Sequence, residues 1–96
     1  MPNFALRPKA RADLDGIWAY TAETWGLEQA QTYVRALNRA FNTLAKKPEL
    51  GRLYDEVYEG LRVYPSGKHL VFYLATNNGI DIVRVLHERM EIRSHL

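Results

Sequence analysis

The sequence predicts an α+β domain with the order β-α-α-β-β-β, an antiparallel two-helix hairpin laid on an antiparallel sheet. Three observations lead there. Two successive stretches carry apolar residues at three- and four-residue spacing with a single glycine between them, three later stretches have strand character separated by turn signals, and a short alternating segment opens the chain.

Asn3 to Arg7 alternates polar and apolar residues, with Phe4 and Leu6 on one side, as a short strand does. Pro8 ends it and suits the first turn of a helix, where a missing N–H costs nothing. Ala10, Leu14, Ile17, Trp18, Thr21 and Trp25 then form one stripe of an amphipathic helix, which places both tryptophans in the core and makes them anchors wherever a partner covers that stripe. Gly26 stops the helix. The stripe of the second helix is Ala30, Tyr33, Val34, Leu37, Phe41 and Leu44, closed by Lys46-Lys47-Pro48, and so short a connection folds the two helices back on each other.

Residues 48–60, with two glycines, a proline and four acidic side chains, have no period and read as a loop. Strands follow at 61–64, 69–75 and 80–87. Pro65-Ser66-Gly67-Lys68 is read as a four-residue turn and Asn78-Gly79 as a two-residue hairpin turn. Segment 88–96 is expected along the sheet edge or as a short helix.

These turns set a register with Tyr64 opposite His69, Arg62 opposite Val71 and Tyr73 opposite Arg84. One face then collects Leu61, Val63, Leu70, Phe72, Leu74, Val83 and Val85, the expected seat of the helices. The other collects Arg62, Tyr64, His69, Val71, Tyr73, Ile82, Arg84 and Leu86, and becomes the candidate surface for a partner or target. Cross-strand packing and solubility are the plain alternative for these arginines and tyrosines. By parity His87 falls on the core side as a hydrogen-bonded histidine, unless a bulge near Leu86 turns it outward.

At 96 residues, 47% apolar and 25% charged, the chain has the balance of one globular domain spanning residues 1–96. No apolar run reaches membrane-spanning length and the first residues lack a signal-peptide centre, so a cytoplasmic protein is expected. With no cysteine and three scattered histidines (His69, His87 and His95), neither a metal nor a cofactor is expected. A net charge of +2 does not announce a nucleic-acid binder, but nine arginines against four lysines favour carboxylate or phosphate partners.

The segments ALRPKARADLDGIWAYTAETWGLEQAQTYVRAL, KKPELGR, GLR, HLVFY and IVRVLHERM, in this order and across essentially the whole chain, resemble the ParE toxins of the RelE/ParE superfamily. The resemblance implies the toxin half of a type II toxin–antitoxin pair, neutralised by a ParD-like antitoxin in a hetero-oligomer and acting on DNA gyrase without catalysis. No membrane partner and no direct sequence-specific nucleic-acid binding are expected. Relatives on the RelE branch instead cut mRNA on the ribosome, and on that alternative Arg62, Arg84 and His87 are the catalytic candidates. The chain ends HERMEIRSHL, lacking the C-terminal tyrosine of the nucleases and the lysines or Glu–His pair that accompany their arginines, which favours a binding toxin. Arg62, Tyr73, Arg84, His87, Arg89 and Met90 are the residues expected to face target or partner.

Overall fold

The computed structural model describes residues 2–96. Strand β1 (Asn3–Leu6) leads into helices α1 (Pro8–Trp25) and α2 (Leu27–Lys46). A 3₁₀ turn (Pro48–Leu50) then precedes β2 (Arg52–Leu53), β3 (Arg62–Ser66), β4 (His69–Thr76), β5 (Gly79–His87) and a short α3 (Ile92–His95). The sheet has five strands in the order β1-β5-β4-β3-β2, antiparallel except for β1, which runs parallel to β5.

Gly26 is the whole connection between the helices. Its φ of 100° and ψ of 162° lie where only glycine sits comfortably. Its N–H closes α1 on the Ala22 carbonyl and its own carbonyl accepts from Ala30, so one residue ends one helix and starts the next. Gly79 is equally constrained: with φ of 143°, a Cβ there would run into the Asn3 backbone, which lets β1 dock against the start of β5.

Both hairpin registers depart from the sequence reading. β3 continues through Pro65 and Ser66 to a two-residue turn at Gly67-Lys68, so Tyr64 pairs with Val71 and Arg62 with Tyr73. Pro65 is tolerated because β2 pairs only with Arg62 and Val63, which leaves the outer side of β3 open at Pro65, where no N–H is needed. In the second hairpin Thr76 pairs with Gly79, and Val83 is inserted as a bulge between the pairs Tyr73–Ile82 and Phe72–Arg84. Tyr73 therefore does not lie across from Arg84.

The faces are exchanged as well. The helices cover Val71, Tyr73, Ile82 and Val85, which pack with Leu37, Phe41 and Leu44, and the Phe4 ring lies 5.3 Å from Phe41. The face with Leu61, Val63, Phe72, Val83 and Leu86 is closed by Tyr54, Val57 and Tyr58 of the β2–β3 connection and by Ile92 and Leu96 at the C-terminal end. With both faces covered, the cleaner apolar set does not identify the helix side. The near-continuous apolar runs of β4 and β5 are the signature of strands buried on both faces.

The tryptophans also leave the core. Trp18 is 37% and Trp25 71% exposed, and the buried line of α1 is Ala10, Ile17 and Thr21.

Candidate partner-binding site

Pairing between β1 and β5 stops at Leu6–Ile82, so beyond the bulge the outer side of β5 has no strand to bond. Asp13 of α1 takes that place. Its Oδ2 accepts from the Val85 N–H at 2.9 Å and from Arg84 Nε at 2.8 Å, while Oδ1 accepts from Arg84 Nη2 at 2.7 Å. Arg84 Nη1 donates to the His95 carbonyl at 2.6 Å, tying α3 to the same point. The pair is largely buried, with side chains 14% and 13% exposed. Its hydrogen bonds to Asp13 push the Arg84 guanidinium further above its ordinary value, against the opposing effect of burial. A cavity of about 590 Å³ lies beside it, lined by Arg7, Lys9, Tyr58 and His95, where burial raises the Tyr58 phenol.

On β4, Tyr73 is 0% exposed, so the expectation that it faces solvent is corrected. A tyrosine fits this face because its hydroxyl leaves the apolar layer at the far end. It donates to the Pro48 carbonyl at 2.6 Å and accepts from the Gly51 N–H at 2.8 Å. Gly51 must be glycine here, since a Cβ would overlap the phenol. Arg62 closes the same corner, donating from Nη1 to the Gly51 carbonyl at 2.6 Å. Burial holds the Tyr73 phenol above its usual value, opposed by the Gly51 hydrogen bond. Arg62 and Tyr73 therefore pin the segment that links α2 to the sheet.

His87 pairs with His69 across β5 and β4, their rings 5.3 Å apart. It is half-buried, and its Nδ1 accepts from the Arg89 N–H at 3.2 Å, which leaves the proton of the neutral ring on Nε2. His69 Nδ1 lies 2.6 Å from the Tyr33 hydroxyl, which also accepts from the Lys68 N–H at 3.0 Å and so can donate to the imidazole. Burial first and His87 second lower the His69 pKa.

This cluster floors a groove of about 700 Å³ whose walls include Ile17, Tyr20 and Trp25 of α1 and Gln29 and Tyr33 of α2. Tyr20 is 67% exposed, and with Trp25 it gives the groove the aromatic composition of an interface centre. Arg89 and Met90 are exposed just past the end of β5.

The six expected residues do not form one constellation. Arg62 shares the helix-covered face with Tyr73, whereas Arg84 is paired with Phe72 of the opposite face, and β4 lies between their strands. Both guanidiniums are committed to protein oxygens. What the sequence reading missed is Asp13, Tyr20 and the role of Tyr33, whereas His69 was among the residues of the expected partner face. Of the exposed aromatics only Tyr20 is foreshadowed, since it lies about 80° around α1 from Ala10 on the buried line Ala10–Ile17–Thr21, whereas Trp25 continues that line. Nothing local marks Asp13, whose partner is 71 positions away.

A model of the family described as the ParE toxin of the parDE type II toxin–antitoxin system matches residues 4–92. Toxin ParE1 of Mycobacterium tuberculosis is 43% identical over 95 residues, covering 98% of this chain and 97% of the relative. Toxin ParE1 of Caulobacter vibrioides is 40% identical over 96 residues, covering 100% and 99%. Among solved structures, a chain of the chromosomal ParDE system from P. aeruginosa superposes with a TM-score of 0.76 at 21% identity, covering 91% of this chain and 96% of that one. A chain of the YoeB–YefM complex from Staphylococcus aureus gives 0.60 at 16% identity, covering 91% and 97%.

Proposed function

Because the chain belongs to the ParE toxin family of type II toxin–antitoxin systems, we propose that it is held inactive by a ParD-like antitoxin and, once free, inhibits DNA gyrase in the cytoplasm by binding rather than by catalysis. The observation that carries the non-catalytic reading is the dispersal of Arg62, Arg84 and His87. Cleavage through a ribose 2′-hydroxyl requires a base, an acid and cations converging on one phosphate. Here the two arginines serve opposite sides of the sheet as internal ties, and His87 uses Nδ1 to hold the Arg89 backbone.

The groove bounded by Tyr20, Trp25 and the His69–His87 pair is the antitoxin's seat in this reading. It offers large rigid side chains to a segment that orders on binding, the mode expected of an amphipathic helix in a groove. Among the described residues no helix is long and apolar enough to cross a membrane.

The test is a supercoiling assay with purified toxin and gyrase, repeated with the antitoxin added. Inhibition that the antitoxin relieves is the expected result. The alternative, a RelE-like ribosome-dependent mRNA endonuclease, requires cleaved message in translating ribosomes and its loss in Arg84→Ala, with normal supercoiling at toxin excess.

A further inference from the structure

Helix α2 buries Ala30, Leu37, Phe41, Leu44 and Ala45, and its opposite face is solvent-exposed along its length. At 100° per residue, Arg35, Arg39, Asn42 and Lys46 fall within about 60° of one another on that outer face. With a rise of about 1.5 Å per residue the line from Arg35 to Lys46 is about 16 Å long. No acidic residue occurs between Glu28 and Glu49. Among the described residues the ion pairs are Arg7–Asp81 and Arg84–Asp13, so the cations of α2 have no carboxylate partner.

We infer that this line is a sequence-independent contact surface for the phosphate backbone of double-stranded DNA. Charge complementarity selects a polyanion, and the composition of the face selects among polyanions. The outer line contains no apolar or aromatic side chain from Gln31 to Lys47, so it offers neither the anchors of a protein interface nor the stacking platform of a single-strand binder. Arginine, lysine and asparagine on a straight helix are the side chains that contact phosphate oxygens without reading bases. Thr43 and Asn42 bond back to the Arg39 and Asn38 carbonyls, leaving the guanidinium and ammonium groups as the outward donors. The exposed aromatics lie at α1 and the elbow, so antitoxin groove and DNA line are separate surfaces. The inference does not depend on gyrase being the target.

The test measures binding of the purified toxin to a fluorescent mixed-sequence DNA duplex by anisotropy as KCl rises from about 50 to about 200 mM. Three phosphate contacts give a slope of log K against log salt near about −2.7, or about a 40-fold loss of affinity over that range. Arg35→Gln with Arg39→Gln is expected to bring the slope to about −0.9, a loss of only about 4-fold. Lys9→Gln with Arg11→Gln, at the start of α1, should leave it unchanged, and circular dichroism verifies that both variants fold. No binding at the low-salt end, an unaltered slope in the α2 variant, equal affinity for duplex RNA, or equal affinity for a polyglutamate of matched charge would each overturn the inference.

Discussion

Removing Asp13 is the sharpest perturbation of the architecture, because one carboxylate closes the open edge of β5 and neutralises Arg84. In Asp13→Ala the guanidinium keeps only the His95 carbonyl, and the Val85 N–H is orphaned. Stripping one partner from a buried pair costs about 3–5 kcal/mol. Since each side chain keeps a little over a tenth of its exposure, water recovers part of this, and the lower end, about 3 kcal/mol, applies. The orphaned N–H adds about 1 kcal/mol. A total near 4 kcal/mol is a large share of the stability of so small a domain and corresponds to a fall in Tm of at least about 16 °C. Urea unfolding of Asp13→Ala, Arg84→Met and the double variant supplies the measurement. The double variant removes both charges, so it should lose no more than about 2 kcal/mol, less than Asp13→Ala alone. A loss below about 1 kcal/mol for Asp13→Ala, or a double variant that loses the sum of the singles, would mean that the two side chains are not coupled as a buried pair.

Tyr73→Phe keeps the ring and deletes the hydroxyl that serves Gly51 and Pro48, and should cost about 1–3 kcal/mol in urea unfolding, with Gly51→Ala also destabilising because its Cβ meets the phenol. His69 is held below its ordinary value, so between that lowered value and about 6.5 the unfolded chain binds more protons than the folded one. Stability should therefore fall as pH drops below about 6.5, and His69→Gln should flatten that part of the urea-midpoint profile. Trp25→Ala, at an exposed position, should change stability by under about 0.5 kcal/mol yet weaken antitoxin binding about 30-fold or more by calorimetry, the loss typical of a hot-spot aromatic.

Element order was legible because it rests on short-range signals: the glycine between two helical periods, and Gly-containing turns between apolar runs. Register was not. The turn at Asn77-Asn78 slides the β4–β5 pairing by two positions and the extra residue at Val83 takes one of them back, neither marked in the local pattern, so Arg84 moves from Tyr73 to Phe72; a separate two-residue shift at Gly67-Lys68 moves Arg62 from Val71 to Tyr73. The covering of the faces was misread for a different reason. Leu61, Val63 and Phe72 form the more uniformly apolar set, but Tyr54, Tyr58, Ile92 and Leu96 suffice to cover them, while the helices accept Tyr73 because its hydroxyl emerges at Gly51. Trp25 follows the helical period of its stripe yet stands at the last turn of α1, beside the elbow at Gly26, where it remains exposed. The candidate site was thus legible in part: His87 borders the groove, whereas Arg62, Tyr73 and Arg84 hold the fold together.

We propose that this member of the ParE toxin family acts on gyrase as a binding protein. The decisive measurement is a titration of purified toxin into a gyrase supercoiling reaction. Supercoiling should fall as toxin approaches the enzyme's concentration and recover when equimolar antitoxin is added. Undiminished supercoiling at large toxin excess, with cleaved message in a parallel translation reaction, would contradict it.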